Sequence, residues 1–242
     1  MTDAAVETSS ERIARLAHHF RLGQWTAWGV VAMYVIYLAA VALSGVVMGT
    51  APRDPSWMVA EVVTVIGAPI QVVLFALIFQ YALVRAKLYG LLAFGFIVVW
   101  AALTMCVHFI ELTLVRRIDL ASSPAFTSIF DLAHPSLLLS IELLAWHLFF
   151  GLSLVFAAFA FIGRGKERFV RIGLMVGGLL SIAGLSGPIL DKAALRILGV
   201  IGYGLVFPIV CFVIGLIFRA SRHELLETVT TSVRVQATPA PG

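Results

Sequence analysis

The chain has 242 residues, 61% of them hydrophobic and only 12% charged, with net charge +4 and mean hydropathy +1.02. That composition lies far outside the soluble average, excludes a water-soluble globular domain and identifies an integral membrane protein. The basic excess follows from membrane topology and attraction to anionic headgroups, so membrane lipids are the expected partners and no nucleic acid is required.

Residues 1–24 are polar and form an N-terminal tail. Within it, Thr8-Ser9-Ser10-Glu11 has the spacing of a capping box, and Ile13, Leu16, Ala17 and Phe20 recur at helical intervals opposite Arg12, Arg15 and His19. This pattern predicts a short interfacial helix acting as a juxtamembrane anchor. The apolar run that follows is too long for the core of a cleavable signal peptide, so the first span is expected to serve as its own insertion signal.

Residues 25–218 contain six apolar segments, each near the roughly 20 residues that cross a bilayer as a helix. They run from Trp25 to Val47, Trp57 to Leu83, Tyr89 to Val115, Leu137 to Ile162, Ile172 to Leu190 and Leu198 to Phe218. Continuous apolarity predicts helices, because barrel strands alternate polar and apolar residues. The expected fold class is therefore all-α, a polytopic transmembrane helical bundle. Pro69 and Pro208 fall mid-span and predict kinks in the second and sixth helices. Cys106 and Cys211 lie within spans as small hydrophobes and indicate neither a disulfide nor a metal site.

Between the third and fourth spans, Pro124 after Ser122-Ser123 predicts a helix start, with Phe126, Ile129 and Phe130 giving that helix one apolar face on the bilayer surface. Asp119, Asp131 and His134 belong to the same loop and read as solvated, or as the mouth of a pore. In the fifth span, Gly173 and Gly177 form a small-xxx-small pair, extended by Gly178, Gly184 and Gly187, that permits close helix approach. Packing within the chain explains the pair, and a homodimer contact through Gly173 and Gly177 is compatible with it. Residues 219–242 read as a second tail, flexible beyond Glu227, where Thr, Val, Ala and Pro lack helical periodicity.

Charge asymmetry predicts orientation. The two tails and the second and fourth loops carry Arg12, Arg15, Arg21, Arg85, Lys87, Arg164, Lys166, Arg168, Arg171, Arg219, Arg222 and Arg234, whereas the other loops hold Arg53, Arg116, Arg117, Lys192 and Arg196. Both termini are expected in the cytoplasm of a cell that carries this chain in its plasma membrane.

Five ionisable side chains, Glu61, His108, Glu111, Glu142 and His147, sit inside the spans. A charge at bilayer depth costs about 2.5–3.5 kcal/mol on insertion scales, so such groups face a bundle interior or a wet cavity and need a partner or a proton there. Counting from the span ends places Glu61, His108, Glu111 and Glu142 in the outer half, with His147 nearer the midplane. His108 and Glu111, at i and i+3, share a face. Glu142 and His147 lie about 140° apart around an ideal helix axis, so both point inward only if that helix has neighbours on two sides. Gln71, Thr64, Thr104, Ser140, Ser181 and Tyr203 are available to complete a polar network, and Trp100 and Trp146 sit deep enough to line a pocket.

Histidine and carboxylate are suitable metal ligands, and His108, Glu111 and Glu142 are the residues that would supply them. The spacing argues against it, since no HExxH run occurs and His108-x-x-Glu111 reverses the order found in di-iron bundles. His108 and His147 differ in depth, which argues against paired haem ligation. No cofactor is predicted.

The segments HFIELTLVRR (His108 to Arg117) and PSLLLSIELLAWHLFFGLSLVFAAFAF (Pro135 to Phe161) resemble a group of small bacterial six-span integral membrane proteins of unknown function, over the last four spans. Glu142 and Trp146 are the best-matched positions. The resemblance implies a fold and no activity; the expected location is the cell inner membrane.

Three functional readings follow. One is a binding or transport protein whose buried polar cluster, Glu142, His108, Glu111, His147, Glu61 and Trp146, faces outward and holds a proton or a small cationic or amphipathic ligand. A second is an intramembrane enzyme acting on a lipid or isoprenoid-like substrate, with Glu142, His147, His108 and Glu111 supplying acid and base. Against it, the chain has no aspartate-rich diphosphate site, no Ser/His/Asp pattern and no phosphate-cradling glycine loop. The third is an accessory subunit whose buried acids only fix helix register.

Overall fold

The computed structural model describes residues 9–45, 54–118, 123–132 and 135–237. Among these residues there are helices and turns and no strands, and six helical segments are long and apolar enough to cross a membrane. A helix satisfies every backbone N–H and C=O within itself, as a lipid environment demands. The first span is α1 (Ser9–Leu43), the second α2 (Ser56–Tyr81) and the third α3 (Lys87–Thr113). A surface helix α4 (Pro124–Phe130) precedes the fourth span, which comprises α5 (Leu137–Leu143), a π turn (Leu144–Phe149) and α6 (Phe150–Ala158). The fifth is α7 (Lys166–Ala183) with a short α8 (Ser186–Ile189). The sixth comprises α9 (Arg196–Val200), a second π turn (Ile201–Val206) and α10 (Phe207–Ala237).

Each span packs against its neighbours in sequence, and α1 closes the ring by lying along α10. The contacts Phe20–Phe218, Trp28–Phe212 and Tyr34–Phe207, with ring centroids 6.3, 6.4 and 5.9 Å apart, mark the antiparallel course of that closing pair. Aromatic side chains fill the middle of the ring. Trp100 stands edge-on to Trp146 at 4.9 Å and against Phe150 at 5.0 Å, and Phe150 meets Phe207 at 5.0 Å. Trp100, Phe75, Phe150 and Phe207 are fully buried. This layer separates the half of the bundle nearer the start of α1 and the end of α10 from the half that holds Glu61, His108 and Glu142.

Three expectations are revised. Among the described residues no separate interfacial helix precedes the first span: α1 is continuous from Ser9, because nothing before Leu43 breaks it and Phe20 and Gly23 are held against Phe218. Thr8, part of the expected capping box, lies outside the described residues. The segment beyond Glu227, expected to be flexible, is helical to Ala237; no glycine or proline occurs between Phe218 and Pro239, so the backbone ladder of α10 continues. The break in the sixth span lies just before Pro208 as a π turn, where the missing proline N–H leaves the Gly204 carbonyl without its usual helical donor. Pro69, by contrast, is accommodated inside the unbroken α2.

The surface helix forms where the sequence places it. The Ser123 hydroxyl caps it by accepting from the Ala125 N–H at 3.3 Å, Pro124 occupies the first turn, and Phe126 and Ile129 stay exposed. Asp119 and His134 lie outside the described residues. The small-residue pair is used within the chain: a Cβ on Gly173 would strike Val210, and one on Gly177 would come 3.2 Å from the Gly202 carbonyl.

Candidate functional site

On α2, Glu61, Thr64, Ala68 and Gln71 form a stripe at spacings of three, four and three, and all four are buried. The stripe puts a carboxylate, a hydroxyl and an amide on the inner face of an otherwise apolar helix. The Thr64 hydroxyl donates to the Ala60 carbonyl at 2.9 Å. On α3, Thr104, His108 and Glu111 repeat the pattern at four and three. Glu142 closes the set near the end of α5.

His108 joins the three helices. Its Nδ1 lies 2.5 Å from Glu61 Oε2 and its Nε2 lies 2.9 Å from Glu142 Oε1. Trp146, one turn further along the fourth span, donates from Nε1 to the same Glu142 oxygen at 2.5 Å. The result is a chain Glu61–His108–Glu142–Trp146 running across three spans. Glu61 is only 1% exposed, so neither end of the Glu61–His108 pair is screened by bulk water.

Proton counting defines what this chain can do. With an imidazolium donating to two carboxylates, both bridges are made and the trio carries one net negative charge. A third proton, or a bound monocation, would make it neutral. Because an uncompensated charge is costly at this depth, the trio favours one or the other.

The trio borders a cavity of about 330 Å³, within the roughly 300–1,000 Å³ of small-molecule sites. Its walls come from the first, second, fourth and sixth spans, with His108 from the third. One long face is a stripe of α1, Val30, Met33, Tyr34, Tyr37, Leu38 and Val41, spaced as one side of a helix. Three polar atoms of lining residues are buried without a hydrogen-bond partner: Tyr34 Oη, Gln71 Oε1 and Glu142 Oε2. Buried polar atoms are nearly always paired, so these mark where a ligand or water belongs.

The remaining residues singled out from the sequence occupy different places. Glu111 is buried one turn from His108, with Oε1 unpartnered, but it does not line the cavity. His147 turns away from the trio and donates from Nδ1 to the Ser181 carbonyl at 3.0 Å, held in a slot between Gly184 and Gly199. Among the described residues no group of three His, Cys, Asp or Glu side chains is disposed to hold a metal ion, and both ring nitrogens of His108 are committed to carboxylates.

Sequence reasoning missed Tyr34, Tyr37 and Arg196, all of which line the cavity. The two phenols were visible as hydroxyl-bearing residues three apart inside an apolar span. Arg196 was counted only as a loop charge, although it is the first residue of α9.

No family model, curated protein or solved structure matches this chain.

Proposed function

We propose that this multi-pass membrane protein binds, and exchanges for a proton, a small monocation bearing N–H donors, of the ammonium or guanidinium class. The single observation that carries this reading is the Glu61–His108–Glu142 bridge on the wall of a largely apolar cavity. An N–H donor supplies what Glu142 Oε2 lacks, and its positive charge completes the neutrality of the trio. Proton and ligand then compete for one site, which is the elementary requirement of exchange. The aromatic layer beneath the cavity closes it toward the other half of the bundle, as one-sided access requires.

The test uses protein reconstituted in liposomes containing a trapped pH-sensitive dye. Guanidinium serves as probe because it stays charged and does not cross lipid unaided. An inward guanidinium gradient should drive protons out through wild-type protein and not through Glu142→Gln. Equal pH traces from wild-type and protein-free liposomes would refute exchange.

A further inference from the structure

We infer that the natural ligand is a membrane-borne zwitterion, an aminophospholipid headgroup with a primary ammonium near an anionic phosphate, entering sideways between the first and sixth spans. The inference rests on the monocation site proposed above and names the rest of the ligand.

Two observations carry it. The first is a fixed positive charge on the same cavity. Arg196 lines it, and no carboxylate pairs with Arg196 among the described residues. Its stem is seated against Gly187, where an added Cβ would come 2.6 Å from Arg196 Cγ, so the guanidinium springs from a defined place. Arg196, Val200, Tyr203 and Gly204 recur at four, three and one along the sixth span and share the cavity face. Tyr203 packs against Trp146 with ring centroids 4.8 Å apart and the planes tilted by 44°, and Trp146 donates to Glu142. Seven residues separate Tyr203 from Arg196, about 10 Å along a helix, so the cation lies toward the rim and the acids lie deeper. A ligand that puts its ammonium on Glu142 therefore has its next few atoms facing a guanidinium, the group best shaped for a phosphate.

The second observation is the side opening. Helix α1 lies along α10 but parts from α9 and the π turn that precede it. Leu38 on α1 and Val200 on α9 both line the cavity and are 48% and 41% exposed. Apolar residues at such a gap face lipid chains, so a headgroup can enter while its acyl chains remain outside. The deep acceptors are already prepared: Gln71 and Tyr34 are 5% and 8% exposed, and each has an unpartnered polar atom.

The experiment is calorimetric titration of purified full-length protein with four probes: hexylammonium, free phosphoethanolamine, short-chain phosphatidylethanolamine and short-chain phosphatidylcholine. In wild type, phosphatidylethanolamine should bind about tenfold tighter than hexylammonium, as a charged hydrogen bond to phosphate provides. Arg196→Gln should erase that advantage by weakening phosphatidylethanolamine, with hexylammonium binding at least as tightly as to wild type because a like charge has left the cavity, and Arg196→Lys should restore part of it. Phosphatidylcholine, which has no N–H, should bind weakly. An undiminished advantage in Arg196→Gln, or free phosphoethanolamine binding as tightly as the lipid, would overturn this inference while leaving the monocation site standing. Failure of hexylammonium to bind wild type, or its equal binding to Glu142→Gln, would overturn the monocation site itself.

Discussion

His108 decides the character of the site, because a single imidazole both separates and couples two carboxylates, Glu61 fully buried and Glu142 partly so. Replacing it with alanine removes both bridges at once and leaves Glu61 and Glu142 with no cation between them. Breaking a buried charged pair in this way costs about 3–5 kcal/mol, so His108→Ala should fall well below wild type in unfolding midpoint. Glu61→Gln behaves differently, since the amide oxygen still accepts from the ring and one buried charge disappears; its cost should stay within about 1 kcal/mol. Unfolding of the two variants side by side checks the contrast, and equal losses would contradict it, because removing the Glu61 charge alone would then cost as much as removing the imidazole. His108, Glu61 and Glu142 were recognisable from sequence as charges at bilayer depth. Their partners were not, because helix periodicity fixes the face of a residue and leaves open which neighbouring helix meets that face.

The two π turns are the elements that the sequence concealed. An extra residue in a turn leaves composition and hydropathy unchanged, and only Pro208 gave a local signal for one of them. Their effect is nonetheless decisive. The turn Leu144–Phe149 carries Trp146 toward Glu142 and His147 toward the fifth span, so residues adjacent in sequence serve different neighbours. His147 fits only because Gly184 and Gly199 offer it a surface without side chains. Gly199→Ala would drive a methyl into the imidazole and should cost about 1–3 kcal/mol in unfolding free energy. Gly29→Ala in α1 meets nothing within 4 Å and should be neutral or stabilising by up to about 1 kcal/mol. Similar losses in both would contradict the packing described for His147. Span positions, the surface helix and the close approach of the fifth helix were legible, since each depends on local residue type; α1 and α10 extend further than their apolar segments because helix continuation needs only the absence of a breaker.

Across the whole molecule, six spans close into a ring that is filled by aromatic side chains at its middle and left open in one half. Apolar length alone predicts six helices, but the cavity depends on α1 and the start of the sixth span diverging, a property of no single segment. The proposed coupling between proton and ligand likewise belongs to the assembled bundle, because the three groups of the trio come from three different spans. The most direct measurement is calorimetric titration of wild-type protein with hexylammonium in two buffers of different ionisation enthalpy, which counts the protons released per ligand bound. Exchange at the Glu61–His108–Glu142 bridge predicts net release of a proton in wild type under conditions where the trio starts neutral, tighter binding as pH rises through that range, and loss of both in Glu142→Gln. Binding with no proton release at any pH, or identical titrations from wild type and Glu142→Gln, would contradict it.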